Sequence, residues 1–296
     1  MKERYSDNKY GYLFISPWLI GFFGLVFIPI VYSLYLAFTD YAVLNKAKWI
    51  GLDNFIKMFT ADTNFWLSFK VTLKFAIVQI PLKLVVSLLV AVVLARQTKL
   101  TGFYRVAFYI PSLLGCSVAV AMTWKQLWNQ RGVVNQILEV LHLPTVNWLN
   151  NPKTALYVLV LLGVWQFGSQ MLVFLAAIKE IPDSLHEAAI IDGAGPAGRF
   201  FSITLPMITP SLFFNLISGI IGSMQAFNSA YLITAGGPMK STLYYGLYQY
   251  QQAFKYLNMG YASAMAWFLA IVIIGLTALV FRSQSAWVYY EDNNSR

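Results

Sequence analysis

Apolar residues in this chain gather into six long runs, at about 13–38, 71–95, 105–127, 155–178, 207–233 and 261–281. A helix that crosses a bilayer core needs roughly 20 mostly apolar residues, and each run meets that length. The pattern predicts an all-α integral membrane protein: one transmembrane domain over 1–296, with six transmembrane helices and both termini on the same side. Between the fourth and fifth runs lies a segment of different character, 179–206, which holds polar residues and glycines. Pro182-Asp183 leads into it, Ser184 stands where an N-cap belongs, and Glu187 follows three residues later, the spacing of a capping box. Gly193 and Gly195 are placed to stop the helix after about two turns. A helix that short is marginal alone in water. Its flanking spans, and something docked against it, are expected to hold it.

Composition agrees with the pattern. Hydrophobic residues make up 58% of the chain and charged residues 11%, against about 25% charged in soluble domains; the mean hydropathy is +0.59. A net charge of +9 would suggest nucleic acid in a soluble protein. Here the basic residues lie near membrane ends, so membrane lipid headgroups are the expected neighbours and nucleic acid is not. Lys2, Arg4 and Lys9 precede the first run, and Arg96, Lys99 and Arg105 crowd the short loop after the second. By the positive-inside rule the termini and that loop are cytoplasmic. Lys46, Lys48, Lys57, Arg131 and Lys153 fall in the opposite loops, which are longer and count for less. This topology puts 179–206 in the cytoplasm. The first run is longer than a signal-peptide core and lacks a small-x-small cleavage site, so it reads as a membrane helix. Cys116, alone and inside an apolar run, permits no internal disulfide. The tail after Arg282 is short and polar and is expected to fray.

The spacing of Glu187-Ala188-Ala189, then Gly193, then Ile203, Leu205 and Pro206 resembles the EAA loop of binding-protein-dependent ABC importer permeases. Asp192-Gly193-Ala194 resembles the sugar-importer branch of that family. Pro17-Trp18-Leu19-Ile20-Gly21, Trp49-Ile50-Gly51-Leu52-Asp53-Asn54-Phe55 and Leu232-Ile233-Thr234-Ala235-Gly236-Gly237-Pro238 resemble other stretches of the same permeases. The long first run is similar to the maltose and glycerol-phosphate first-permease type. The resemblance implies the type I importer permease fold, in which this loop is a cytoplasmic coupling helix seated on a separate ATPase. The coupling residues it points to are Ser184, Glu187, Ala188, Ala189, Asp192 and Gly193. It also implies a bacterial cytoplasmic (inner) membrane, a second homologous permease forming a heterodimer, and two ATPase subunits that bind ATP and Mg. An extracytoplasmic substrate-binding protein would deliver the cargo.

Other motifs carry little chemistry. Gly193-Ala194-Gly195-Pro196-Ala197-Gly198 has the letters of a dinucleotide-binding glycine motif, but no strand precedes it and Pro196 would disturb the turn. Gly237-Pro238-Met239-Lys240-Ser241-Thr242 mimics part of a phosphate loop without the glycine before its lysine. The chain is therefore expected to hold no cofactor of its own and to be no enzyme. His142 and His186 lie far apart without metal-ligand company, so no metal site and no catalytic group is expected.

The spans themselves are more informative. Asn215, Ser218, Gly222, Gln225 and Ser229 recur at three- and four-residue steps on one helical face, with Asn228 at its margin. Such a stripe either glues helices together or lines a path for sugar hydroxyls. Gln166 and Gln170, four apart in the fourth run, fit the same cavity, and Trp165 is placed either to stack on a pyranose ring or to pack. Lys83 lies near the middle of the second run, two residues after Pro81. An ammonium at that depth costs about 2.5–3.5 kcal/mol on insertion scales. No Asp or Glu lies inside any of the six runs. Lys83 is left to snorkel, to bond carbonyls freed by Pro81, to meet the second permease or to meet an anionic substrate. The function expected is the permease subunit of an ATP-driven importer for an oligosaccharide, an acidic one among the options. An ion-coupled secondary sugar transporter is the alternative, and the carboxylate-free runs count against it.

Overall fold

A helix of 33 residues rises about 50 Å, more than the roughly 30 Å of bilayer hydrocarbon, and Thr63–Ala95 forms one such helix in the computed structural model. The structure describes residues 6–43, 45–96 and 99–289. Lys2, Arg4 and the tail residues 290–296 lie outside them, as does the side chain of Lys9. Among the described residues, two further helices are long and apolar enough to cross a membrane, Tyr10–Ala37 and Met259–Trp287. The other three apolar runs form helix pairs bent at short breaks, each long and apolar enough to cross a membrane if the pair counts as one span. Thr101–Leu114 meets Val118–Leu127 at 103°, Ala155–Trp165 meets Gly168–Glu180 at 44°, and Pro196–Met207 meets Thr209–Met224 at 64°.

The 105–127 run is therefore not one rod. Its first helix carries Pro111 near its end and stops at Gly115, whose φ of +57° suits a residue without a β-carbon. Ser117 then caps the next helix, its hydroxyl accepting from the Val120 N–H at 3.4 Å. The 207–233 run also departs from a single helix. It turns after Met207, stops at Gln225, and becomes helical again from Asn228 into the π-helical turn Ala230–Thr234.

Packing divides the described residues into two units. One holds the residues through Thr63 together with Gln249–Ile271; the other holds Asn64–Tyr248 and the residues from Val272 onward. In the first unit, the loop after the first span finishes that span's end. Asn54 Nδ2 donates to the carbonyls of Ala37 at 2.9 Å and Thr39 at 3.0 Å, acceptors that a helix C-terminus leaves without partners. The Trp49 ring stacks on Phe38 at 5.5 Å. The Trp49–Phe55 stretch thus has a structural job of its own. Trp267 Nε1 donates to Ser33 Oγ at 3.2 Å, tying the start of the last span to the first.

In the second unit, Ala91 and Leu94 of the second span meet Met171, Phe174 and Leu175 of the fourth, and Ile181 and Ile208 close the cluster. Burying a large aliphatic or aromatic side chain is worth about 1.5–3 kcal/mol, so this cluster is a firm anchor. Ile181 and Ile208 bracket the polar segment, which leaves and re-enters the body through one apolar knot. Ile203 and Leu205 pack against its edge, which accounts for their apolar character. The last helix runs past Arg282 to Trp287, whose ring meets Phe213 at 6.0 Å. The Tyr289 N–H donates to Thr209 Oγ1 at 2.8 Å. The chain is thus held well beyond Arg282, where fraying was expected to begin.

Candidate functional site

Lys83 lines a polar cavity of about 550 Å³ within the second unit. The second span supplies Gln79 and Lys83, one turn apart. The break in the fourth span supplies Gln166, with Gln170 a turn further on. The Thr209–Met224 helix and the break after it supply Ser218, Gln225, Asn228 and Ser229. Among the described residues, Lys83 is the one charged residue of the lining, and no carboxylate lines the cavity to neutralise it. Its backbone is fixed from the side: Ser87 Oγ donates to the Lys83 carbonyl at 2.6 Å and lies 3.3 Å from the Phe167 carbonyl at the break.

Gln79 Oε1 accepts from Ser223 Oγ at 2.9 Å. Gly163 makes room for it, since a β-carbon there would run into Gln79 Nε2. Gln166 Nε2 and Gln170 Oε1 are buried without hydrogen-bond partners. A buried polar group left in that state costs about 1–3 kcal/mol, and a hydroxyl-bearing ligand in the cavity would relieve it.

Three of the expected lining residues behave differently. Asn215 is buried away from the cavity: its Nδ2 donates to the Gln170 carbonyl at 3.3 Å, and its own carbonyl accepts Gln170 Nε2 at 3.5 Å. It serves as polar glue between spans. Trp165 is absent from the lining; its ring packs on Trp124 at 5.8 Å. Ser229 does reach the cavity, but not as part of one continuous stripe, because the helix ends at Met224. Conversely, Gln79, Ser223 and Cys116 line the cavity and were not singled out from the sequence. Gln79 carried a readable signal, an amide four residues before Lys83 and so on the same helical face.

The polar segment forms the nine-residue helix Asp183–Ile191. Its N-cap is Pro182, and no side chain caps it. The expected capping box of Ser184 and Glu187 does not form. Pro182, at φ −60° and ψ 130°, starts the helix at Asp183, so Ser184 already lies inside the first turn. The other end is closed by backbone. Gly193 takes φ +81°, its N–H donates to the Ile190 carbonyl at 3.0 Å, and the Ala194 N–H donates to Ala189 at 2.8 Å, the Schellman arrangement. Ser184, Glu187, Ala188, Asp192 and Gly193 are exposed, and Ala189 is partly so. Beside them Ile191 is 86% exposed and Ile190 55%, an apolar edge of the kind that marks contact surfaces.

Residues 80–287 match the family described as the binding-protein-dependent transport system inner membrane component. The chain belongs to this family. As an inner membrane component it is a membrane protein and a transport subunit rather than an enzyme. It is 48% identical over 289 residues to the probable ABC transporter permease protein YesP of Bacillus subtilis (strain 168), covering 97% of this chain and 94% of that one. It is 32% identical to the trehalose/maltose transport system permease protein MalF of Thermococcus litoralis, covering 95% of each. Among solved structures it is similar to a chain of a bacterial alginate ABC transporter in complex with an alginate pentasaccharide-bound periplasmic protein. There the TM-score is 0.82 at 22% identity, covering 96% of this chain and 97% of that one. The inner membrane component thus has the all-α type I permease fold implied by the EAA spacing.

Proposed function

We propose that this chain is one transmembrane half of an ATP-driven importer for an acidic oligosaccharide. A second, homologous permease completes the pathway as a heterodimer. Two separate ATPase subunits hold ATP and Mg and dock on the Asp183–Ile191 helix, and a substrate-binding protein delivers the cargo on the outer face. Both termini are cytoplasmic. The observation that carries this reading is the cavity. At about 550 Å³ it is of ligand size, sites for small molecules running to about 300–1,000 Å³. Its polar groups are amides, hydroxyls and one ammonium, the set that exchanges hydrogen bonds with sugar hydroxyls and pairs with a uronate carboxylate.

The anchoring of the polar segment supports the coupling step. Ile181 and Ile208 fix both of its ends in one cluster with the second and fourth spans. A push on the helix is therefore passed to the spans that wall the cavity. ATP does work here only by preferring one orientation of the pair over the other.

The test is the assembled importer in lipid, assayed for ATP hydrolysis with a panel of neutral and uronate oligosaccharides. Uronate oligosaccharides are expected to stimulate hydrolysis and to slow alkylation of Cys116, the chain's single cysteine, which lines the cavity. Uptake driven by an ion gradient without ATP would overturn the proposal. Glu187 gives a second check. It is exposed and does not cap its own helix, and a hydrogen bond to a charged group is worth about 1.5–3 kcal/mol. Glu187→Gln should leave assembly intact and lower cargo-stimulated hydrolysis about tenfold. Unchanged coupling would remove Glu187 from the docking contact.

A further inference from the structure

A second cavity, of about 540 Å³, lies at the root of the polar segment and shares no lining residue with the first. Three permanent cations wall it: Arg96 just past the second span, Lys179 at the end of the fourth, and Arg199 on the path back to the fifth. His186 adds an imidazole, and among the described residues Asp183 is the one carboxylate of the lining. Three positive charges against one negative leave the cavity cationic. Arg199 Nε is buried there without a hydrogen-bond partner. Arg199 as a whole is partly exposed, but a buried donor left without a partner is costly, and it is the kind of group an oxyanion satisfies.

We propose that this cavity binds a phosphate-bearing anion, held by Arg96, Lys179 and Arg199. Cations that approach from three separate segments suit a tetrahedral group with several oxygens better than a flat carboxylate with two. Basic pockets between membrane helices take lipid phosphates in this way. The phosphate can belong to an anionic lipid headgroup or to a soluble phosphate; the recognising chemistry is the same. Once bound, it ties the ends of two spans to the segment that carries the Asp183–Ile191 helix and stiffens that root. The site needs neither cargo nor ATPase, so its test stands apart from the importer reading.

The test uses the full-length chain in neutral detergent at constant ionic strength, with thermal unfolding followed as probe is added. The probes are inorganic phosphate and short-chain phosphatidylglycerol, with acetate as the carboxylate control. Saturable stabilisation by phosphatidylglycerol alone assigns the lipid source, and stabilisation by both probes assigns the phosphate group itself. Arg199→Gln should raise the half-saturating concentration at least tenfold. Asp183→Asn, which removes the opposing charge, should lower it about three- to tenfold, a gain that misfolding cannot mimic. The proposal fails if neither probe gives saturable stabilisation, if acetate acts equally, or if Asp183→Asn leaves the half-saturating concentration unchanged.

Discussion

Replacing Lys83 with methionine should lower uptake of uronate oligosaccharides by the assembled importer about ten- to a hundredfold, and leave neutral sugars near their original rate. Among the described residues, Lys83 is the sole charge on the wall of the first cavity, with no carboxylate beside it. A hydrogen bond to a charged group is worth about 1.5–3 kcal/mol, and about 1.4 kcal/mol is a factor of ten. Methionine keeps an unbranched stem of similar bulk and removes only the ammonium. The Ser87 bond goes to the Lys83 backbone and survives the change. Transport assays with paired neutral and acidic cargo decide the matter. An equal fall for both cargoes would mean that Lys83 pairs with a carboxylate of the second permease instead, and no fall would mean that it pairs with nothing that matters to transport.

Gly168→Ala should be among the most damaging single-methyl changes in the second unit. A β-carbon at Gly168 would strike the Phe108 carbonyl oxygen and come within 2.7 Å of Tyr109 Cα and 3.0 Å of Ser112 Oγ. Two of these three neighbours are backbone and cannot swing aside. The same contact includes the Ser169 N–H donating to Ser112 Oγ at 3.1 Å, which a shift of the helices would break. Forcing extra atoms into such a contact costs about 1–3 kcal/mol. A drop of several degrees in the unfolding temperature of the purified chain is expected, with loss of uptake because Gln166 and Gln170 flank the point of contact. Gly222→Ala is the control: Gly222 borders the cavity and has open space where a β-carbon would go. If the two variants melt alike, the close approach at Gly168 carries no weight.

Much of this arrangement is legible in the residues. Hydropathy finds the helices because each must hide its backbone in hydrocarbon, and the Glu187–Pro206 spacing points to the family. The bends are harder to see. A run such as 105–127 has the same apolar length whether it is straight or folded at Gly115, because composition does not report direction. Asn215 and Ser218 look alike on a helical wheel, yet one bonds a neighbouring span and the other borders the cavity. That choice is made by the facing helix. Ser184 and Glu187 fit the letters of a capping box, and Pro182 overrides them by setting where the helix begins.

The interruption between Met224 and Asn228 has a consequence for passage itself. Across the break the Gln225 and Ala226 N–H groups donate to the Ile221 and Ser223 carbonyls and the Phe227 carbonyl accepts from the Tyr231 N–H, so the backbone beside the cavity keeps partners of its own. On the proposed reading, a sugar entering this chamber meets amides and hydroxyls beside an apolar wall and can exchange hydrogen bonds with them. Such a route trades tight grip for a low barrier, and a conduit has to release what it has just admitted.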